Sequence, residues 1–207
     1  APTDLGAYAS RVTFMAGNAV LSAAQDVCAQ LAAYFRQING ACGGEVKFKD
    51  GKITCGNQVI SFQELSEKFY HEKGVLVGRG SYNPPKLGGK FKGAAVGTSP
   101  AYSFCAVAAE VNVDLETGQV RVDHMYAAHD SGTIINPVTF NGQVEGALVM
   151  GVGEALMEKI EHNQGQLRNP NFHDYLLPTI MDAPEIHCAS VPIRDPNGPF
   201  GAKEVGE

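Results

Sequence analysis

Glycine and proline divide this chain into short segments, and their placement limits the folds open to it. The 207 residues include 24 glycines and 11 prolines. Residues 74–101 are rich in both, and prolines recur through residues 163–207, which are predicted to be mostly extended. Neither region favours a regular helix, because proline breaks helices and glycine weakens them. Most helical structure is therefore expected in the remaining segments.

Three segments have the apolar spacing of helices. The first runs from residue 18 to residue 36, with Asn18 as its N-cap. Ser61-Phe-Gln-Glu64 is a capping box that opens the second helix, which continues to about residue 72. The third covers residues 142–160 and contains internal glycines, each of which costs about 1 kcal/mol relative to alanine. That cost indicates close packing of this helix on a sheet or a ligand.

Two hairpins are predicted. Asp50-Gly51, a strong turn dipeptide, lies between Val46–Phe48 and Lys52–Thr54. Val107–Leu115 alternates apolar and polar residues, and the chain returns as Val120–Tyr126. Helices and hairpins in separate stretches of the chain indicate an α+β fold.

The charge of the chain and its apolar runs exclude two classes of partner. The chain has 16 basic and 22 acidic residues, which give a formal net charge of −6. Binding to nucleic acid needs a basic surface, so no nucleic-acid partner is predicted. No apolar run approaches the roughly 18 residues of a membrane span, so no membrane partner is predicted either.

Three motifs of nucleotide-binding proteins and hydrolases are incomplete or absent. Gly151-Val-Gly153 has Leu156 where a dinucleotide fingerprint has its third glycine. Gly201-Ala-Lys203 lacks the glycine spacing and the hydroxyl residue of a phosphate-binding P-loop. The nucleophile elbow G-x-S-x-G does not occur, so a hydrolase of that type is not supported.

The cysteines and histidines are scattered along the chain. No two of the five cysteines have C-x-x-C spacing, and an odd, scattered set predicts reduced thiols and a reducing compartment. The six histidines form no H-E-x-x-H motif. A metal site made by protein ligands is therefore not predicted. The five cysteines are Cys28, Cys42, Cys55, Cys105 and Cys188.

Three places in the sequence offer groups for binding or catalysis. Ala9-Ser10-Arg11 precedes the first helix, where backbone N–H groups and a bidentate arginine suit a phosphate; the alternative is a loop with a solvated arginine. Gln143 has donors and an acceptor that suit the edge of a heterocycle, or it is a helix residue facing water. Glu207 lies on a glycine-rich turn, where burial would raise its pKa toward a value useful for proton transfer. Its alternative is an exposed loop glutamate.

A fourth polar stretch is predicted to be structural. Asp130 and Asn136 flank Ser131-Gly132, and both residue types favour turns. His129 is adjacent to Asp130 and is interpreted as a histidine with satisfied hydrogen bonds inside the fold.

Four motifs occur in one order along the chain, and together they resemble one family. They are Gly6–Asn18, His129–Pro137, Gly142–Ala147 and Gly201–Glu207. The pattern resembles the molybdopterin-binding large subunit of the xanthine dehydrogenase/aldehyde oxidase family over almost the whole chain. The resemblance implies a molybdenum-cofactor-binding domain with helices packed on mixed or antiparallel sheets. It also implies that residues 1–207 are the C-terminal part of the molybdopterin-binding domain of a larger catalytic subunit, cut at both ends and inactive alone.

Two further segments, Gly80–Gly89 and Ser99–Phe104, look most like the alpha subunit of 4-hydroxybenzoyl-CoA reductase. That branch of the family implies an enzyme of aromatic degradation, which removes the phenolic hydroxyl of 4-hydroxybenzoyl-CoA reductively to give benzoyl-CoA. Two alternatives remain. One is an aldehyde or N-heterocycle dehydrogenase of the xanthine type, which hydroxylates its substrate. The other is a non-catalytic module that keeps the fold.

The resemblance also implies roles for the candidate binding residues. Ala9, Ser10 and Arg11 would lie on the pyrophosphate or nucleotide of the molybdopterin cofactor, which is expected in its cytosine dinucleotide form. Gln143 would bind close to the molybdenum end. The protein would give molybdenum no ligand, because the pterin dithiolene binds the metal. Ser131 departs from the pattern, since many members have cysteine there, and no large effect is expected.

The end of the chain carries the implied catalytic group. Gly206 would contact the cofactor, and Glu207 would be the active-site glutamate that takes part in proton transfer. Electrons would pass through [2Fe-2S] and FAD centres in partner subunits or domains of the same complex. The expected substrate is a small aromatic compound or an acyl-CoA, and the expected location is the cytoplasm.

Overall fold

The computed structural model describes residues 6, 10–40, 42–84 and 101–205, and the chain forms two compact units. Residues 15–84 make up the first, which we call the N-terminal unit. Residues 1–14 and 85–207 make up the second, which we call the C-terminal unit. Among the described residues, the longest helices are too short or too polar to cross a membrane.

The N-terminal unit packs two helices on a small sheet. The sheet is antiparallel, with strand order β1-β2-β3. Leu31, Phe35, Ile53 and Leu65 are almost completely buried and form the centre of the core. The elements are α1 (Val12–Asn39, of which the residues from Met15 onward belong to this unit), β1 (Lys47–Lys49), β2 (Lys52–Cys55), β3 (Gln58–Ser61) and α2 (Phe62–Lys73).

An irregular segment, residues 74–84, follows α2 and lies against α1. The Nε2 atom of Gln30 donates a hydrogen bond to the carbonyl of Val77 over 2.8 Å, and Asp26 accepts one from the Arg79 N–H over 2.9 Å. A Cβ atom at Gly78 or Gly80 would collide with the backbone of α1 near residues 19–23. Glycine is therefore required at both positions by the close approach of the two backbones.

A disulfide joins Cys42 and Cys55 in the N-terminal unit. Their Cα atoms are 5.8 Å apart, a normal separation for a disulfide, although 13 residues separate them in sequence. The prediction that all five cysteines are reduced is therefore wrong for this pair. Spacing rules look for neighbouring cysteines, whereas here the β1–β2 hairpin returns the chain to the loop that carries Cys42. The other three, Cys28, Cys105 and Cys188, are free.

The C-terminal unit packs one long helix on a mixed sheet. β4 and β5 are antiparallel, β5 and β8 are parallel, and β6 pairs with β7 as a separate ribbon. The core between α3 and the larger sheet includes Met125, Phe140 and Leu148. The elements are β4 (Cys105–Val113), β5 (Val120–His129), α3 (Pro137–Leu156), β6 (His162–Asn163), β7 (Gln166–Leu167) and β8 (Glu185–Ser190), followed by a 3-10 turn at Pro199–Gly201.

The predicted α+β class and both predicted hairpins are confirmed, as is the capping box of α2. Ser61 accepts a hydrogen bond from the Glu64 N–H over 3.0 Å. Two helix starts are corrected. α1 begins at Val12 rather than at Asn18, and α3 begins at Pro137 rather than at residue 142. α3 starts early because Asn136 caps it and proline suits the first helical position.

The glycines of α3 differ in what they pack against. A Cβ at Gly153 would lie 2.5 Å from Cγ of Pro178, so this glycine permits a close approach. A Cβ at Gly146 or Gly151 would meet no described atom within 4 Å. The expectation of close packing therefore holds at Gly153, and nothing in the structure explains the other two.

Candidate functional site

A cavity of about 450 Å³ lies in the C-terminal unit. Three separate stretches of the chain line it, and each coincides with a motif singled out in the sequence. They are the start of α1, the loop that precedes α3 together with the first turns of α3, and the segment after the 3-10 turn. The lining residues are Ser10, Val12, Thr13, Ser131, Thr133, Ile134, Ile135, Asn136, Thr139, Phe140, Gln143, Ala202, Lys203 and Val205.

Two helix N-termini line this cavity. Val12 and Thr13 come from the first turn of α1, and Asn136 and Thr139 from the start of α3. Neither helix has an acidic residue in its first turn. Helix N-termini carry partial positive charge and N–H groups without intrahelical partners, so this end of the cavity favours an anion.

Part of that hydrogen-bonding capacity is already used at α3. The Asn136 side chain accepts hydrogen bonds from the N–H groups of Val138 and Thr139, over 3.0 and 3.3 Å. Asn136 is thus the N-cap that fixes where α3 starts, which refines its predicted role as a turn former. The dipole of α3 still contributes positive potential to the cavity, while direct N–H contacts to a ligand are better supplied by α1.

A buried ion pair supports the cavity wall. Nζ of Lys203 lies 2.5 Å from Oδ2 of Asp130, and both side chains are less than one-tenth exposed. Nζ also donates to the carbonyl of Tyr102 over 3.2 Å. A buried charge is tolerated when it is paired and hydrogen-bonded, as it is here. The pair therefore ties together two motifs that are 73 residues apart.

Backbone contacts reinforce the same junction. Gly132 and Ala202 form an isolated antiparallel bridge, and the Thr133 N–H donates to the carbonyl of Gly201 over 2.9 Å. Gly132 has φ +66°, and a Cβ there would collide with the carbonyl oxygen of Gly201. Any other residue at Gly132 would separate the two strands of the junction and displace Lys203 from Asp130.

His129 does not line the cavity but contacts Ser131, which does, in keeping with its predicted structural role. Its Nδ1 lies 2.6 Å from Oγ of Ser131, and its ring meets the edge of Phe140 at 6.3 Å between centroids. Burial lowers the pKa of His129, although the neighbouring Asp130 carboxylate opposes that shift. Lys203, the partner of Asp130, was missed by sequence reasoning because no local spacing connects the two residues.

The structure places some of the predicted binding and catalytic residues at the cavity and not others. Ser10 and Gln143 both line the cavity. Arg11 is buried, at 8% exposed, and does not line it. Ala9, Gly206 and Glu207 lie outside the described residues.

Comparisons with known proteins identify the family of this chain. The family model for the molybdopterin cofactor-binding domain matches residues 1–184. The xanthine dehydrogenase molybdenum-binding subunit of Escherichia coli O157:H7 is 31% identical over 100% of this chain and 27% of its own length. The carbon monoxide dehydrogenase large chain of Afipia carboxidovorans is 30% identical, over 100% of this chain and 25% of its own.

A solved structure of a Cu,Mo-CO dehydrogenase superposes on the whole chain with a TM-score of 0.83 at 27% identity, and 25% of that structure is covered. This chain therefore spans about a quarter of the length of the relatives that it matches.

Proposed function

The chain belongs to the molybdopterin cofactor-binding domain family, and from that premise we propose that it forms the cofactor-binding portion of a molybdenum-dependent oxidoreductase. The observation that carries the proposal is the cavity in the C-terminal unit, because all four of the family-like motifs contribute residues to its lining. Its volume lies within the range of about 300–1,000 Å³ that is usual for small-molecule sites. We propose a hydroxylating dehydrogenase of the aldehyde or N-heterocycle type.

The start of α1 suits the pyrophosphate of the cofactor. Val12 and Thr13 line the cavity at a helix start without acidic residues, in a chain whose net charge is −6. The Ser10 hydroxyl lines the same end and can donate to a phosphate oxygen. We propose Ala9, Ser10 and Arg11 as contacts of the phosphates or the nucleotide, in the cytosine dinucleotide form of the cofactor; of the two described residues, Ser10 lines this cavity and Arg11 does not.

The part of the cavity lining that comes from α3 suits the pterin and the metal. Gln143 and Thr139 are one helical turn apart, so their side chains lie on the same face of α3. Gln143 offers both donors and an acceptor to a heterocycle edge. When bound, the cofactor supplies the redox centre, and its dithiolene supplies the ligands of molybdenum. The role of this chain is to bind and orient that group.

Glu207 is proposed as the proton acceptor, with Gly206 beside the cofactor. Val205 lines the cavity and precedes Glu207 by two residues in the sequence, which supports this assignment. In the complete enzyme, Glu207→Gln removes the base and keeps the size of the side chain. We expect kcat to fall by about 10²–10⁴-fold with unchanged molybdenum content. Turnover near that of the wild type at full molybdenum content would refute the assigned role.

Partner subunits and location are part of the proposal. The two relatives described above are named as a subunit and a large chain, which supports a multi-subunit assembly. We propose that [2Fe-2S] and FAD centres in those partners carry the electrons. A cytoplasmic location is proposed as well, and the Cys42–Cys55 disulfide is the observation that weighs against it, because reducing compartments keep such pairs as thiols.

The substrate that the enzyme accepts distinguishes a hydroxylating dehydrogenase from a reductase of 4-hydroxybenzoyl-CoA. Similarity to a xanthine dehydrogenase subunit favours hydroxylation. The expectation of 4-hydroxybenzoyl-CoA reduction rests on the sequence likeness of Gly80–Gly89 and Ser99–Phe104, of which residues 85–89 and 99–100 lie outside the described residues. Assays on the assembled complex distinguish them. We expect oxidation of an aldehyde or a purine with an artificial electron acceptor. Reduction of 4-hydroxybenzoyl-CoA by a low-potential donor, without that oxidation, would establish the reductive reading instead.

A further inference from the structure

One face of the β4–β5–β8 sheet packs on α3, and the other face carries three metal-ligating side chains. Met125 and Ala127 of β5 point to the α3 core, so His124 and Tyr126 point to the opposite face. The same alternation in β8 places Glu185 and His187 on that face. We propose that His124, Glu185 and His187 bind a divalent transition-metal ion, with Zn²⁺ as the reference ion, at a site separate from the cavity.

The parallel pairing of β5 and β8 brings the three residues together. The register aligns His124 with Glu185, and Tyr126 with His187. Nδ1 of His124 lies 3.4 Å from one Glu185 carboxylate oxygen, and Nε2 of His187 lies 3.4 Å from the other. All three ligand atoms fit within 4.8 Å of one another. A tetrahedral zinc ion with bonds of about 2.0–2.1 Å separates its ligand atoms by roughly 3.4 Å, which is the distance from each imidazole nitrogen to one of the two Glu185 oxygens.

An unsatisfied polar atom points to a ligand at the same place. Nδ1 of His124 is buried and has no hydrogen-bond partner. A buried polar atom without a partner costs free energy. Its nearest anion, the Glu185 carboxylate, stands at 3.4 Å without the geometry of a hydrogen bond. A metal ion between the two groups would satisfy both.

Stacked rings hold the imidazoles in place. Tyr126 and His187 stack with centroids 5.0 Å apart and ring planes 14° apart, and the rings of His124 and His187 lie 6.0 Å apart at 24°. Ligands that are already oriented lose less conformational freedom on binding. Tyr126 is therefore a positioning residue for this site.

The ligand set selects the class of ion. Two imidazole nitrogens and one carboxylate suit zinc and its neighbours in the first transition row, whereas calcium and magnesium prefer oxygen ligands. Three protein ligands leave a fourth position for water or for a group from a ligand. The proposed metal site shares no residue with the lining of the cavity, so evidence against one would not be evidence against the other.

The test is a Zn²⁺ titration of the full-length protein after removal of adventitious ions with a chelator, followed by calorimetry. His187→Gln is expected to weaken the binding of one Zn²⁺ by about 10–100-fold or more, since loss of an outer-shell partner alone has an effect of that size. Glu185→Gln is expected to act in the same direction. Mg²⁺ is expected not to compete at equal concentration.

Glu110→Gln is the matched control. Glu110 pairs with His124 from the β4 side, in the same row of the sheet as Glu185, but it does not belong to the ligand cluster. Unchanged Zn²⁺ affinity in Glu110→Gln, with loss in Glu185→Gln, supports the site. Equal losses in both variants would show diffuse attraction by surface charge, and unchanged affinity in His187→Gln would likewise overturn the proposal.

A measurement on the unmodified protein covers the case in which a variant fails to fold. Cu²⁺ bound at one equivalent is expected to show coupling to two nitrogen nuclei in its electron paramagnetic resonance spectrum, because two imidazoles coordinate it. A spectrum without coupling to two nitrogens would contradict the assignment. Coupling to two nitrogens that disappears when one equivalent of Zn²⁺ is added supports the assignment.

Discussion

Both compact units of the chain bury apolar side chains, but among the described residues only the C-terminal unit also buries charged ones. In the N-terminal unit, the core is built around Leu31, Phe35, Ile53 and Leu65. Every buried histidine, serine, asparagine or charged residue that the structure describes belongs to the C-terminal unit. Burial of apolar area stabilises the first unit directly, whereas the second must compensate the desolvation of its polar groups by pairing them.

That difference indicates where binding occurs. Buried ion pairs are weak evidence for stability, because apolar residues of the same volume often serve as well. The Asp130–Lys203 pair lies at the wall of the cavity, and Lys203 is itself a lining residue. The pair thus holds the wall of the proposed cofactor site in one arrangement. The N-terminal unit carries no comparable buried polar network among its described residues.

The largest effect is expected from breaking the Asp130–Lys203 ion pair. Lys203→Met leaves the Asp130 carboxylate buried without its partner, and the stability of the C-terminal unit should fall by about 3–5 kcal/mol. Hydrogen exchange of the full chain, read by mass spectrometry, reports each unit separately, and β5 should lose protection. The double variant Lys203→Met with Asp130→Asn should recover much of it. Unchanged protection of β5 in Lys203→Met would show that the ion pair does not stabilise the C-terminal unit.

The next effect tests the apolar core of the other unit. Leu65 is fully buried, and Leu65→Ala should destabilise the N-terminal unit by about 2–5 kcal/mol, because it removes apolar contacts and leaves a cavity. Protection of α2 should fall while that of β5 stays constant. Val59→Ala is the control, since Val59 is 62% exposed, and it should change stability by about 0.5 kcal/mol or less. A smaller effect for Leu65→Ala than for Val59→Ala is incompatible with this core.

The disulfide gives a third, somewhat smaller effect on the same unit. Cys42→Ser removes a cross-link between residues 13 apart and should cost about 2–4 kcal/mol. A reductant should lower the stability of the wild type and leave that of Cys42→Ser unchanged. Cys28→Ser, which alters a free thiol, serves as the control. If the reductant has no effect on the wild type, the pair is reduced in solution and the original expectation is restored.

The smallest expected effect is a pH dependence confined to the C-terminal unit. Burial lowers the pKa of His129 below its unfolded value of about 6.5, so the unfolded state binds more protons near that pH. The free energy of unfolding of the unit should therefore fall as the pH drops below about 6.5, and it should stop falling below the lowered pKa of the folded state. His129→Gln should flatten the slope. His71→Gln, at an exposed position in the N-terminal unit, is the control and should leave the slope of the C-terminal unit unchanged.

Local patterns in the sequence predicted much of the fold. The capping box at Ser61, the Asp50-Gly51 turn and the alternation of β4 and β5 each depend on residues close in sequence. The sequence predicts that α1 starts at Asn18, because residues 12–17 lack strong apolar spacing. In the structure those residues are helical, and α1 starts at Val12. Strand β3 was missed because a four-residue segment after a tight turn carries little pattern.

The candidate site was predictable only where motifs mark it. Ser10 and Gln143 came from the motifs, and both line one cavity. Contacts between distant segments left no local signal: Lys203 with Asp130, Cys42 with Cys55, and His124 with His187. The strand pairing and the loop returns that create them are properties of the tertiary fold, which spacing rules do not contain.

The most direct test of the central claim is a structure of the full-length protein loaded with its molybdenum cofactor, with anomalous scattering measured at the molybdenum edge. The account predicts cofactor density in the cavity of the C-terminal unit, with the phosphates near Ser10 and the start of α1, and the pterin near Gln143. Molybdenum and pterin bound elsewhere in the protein, with only solvent in this cavity, would contradict it.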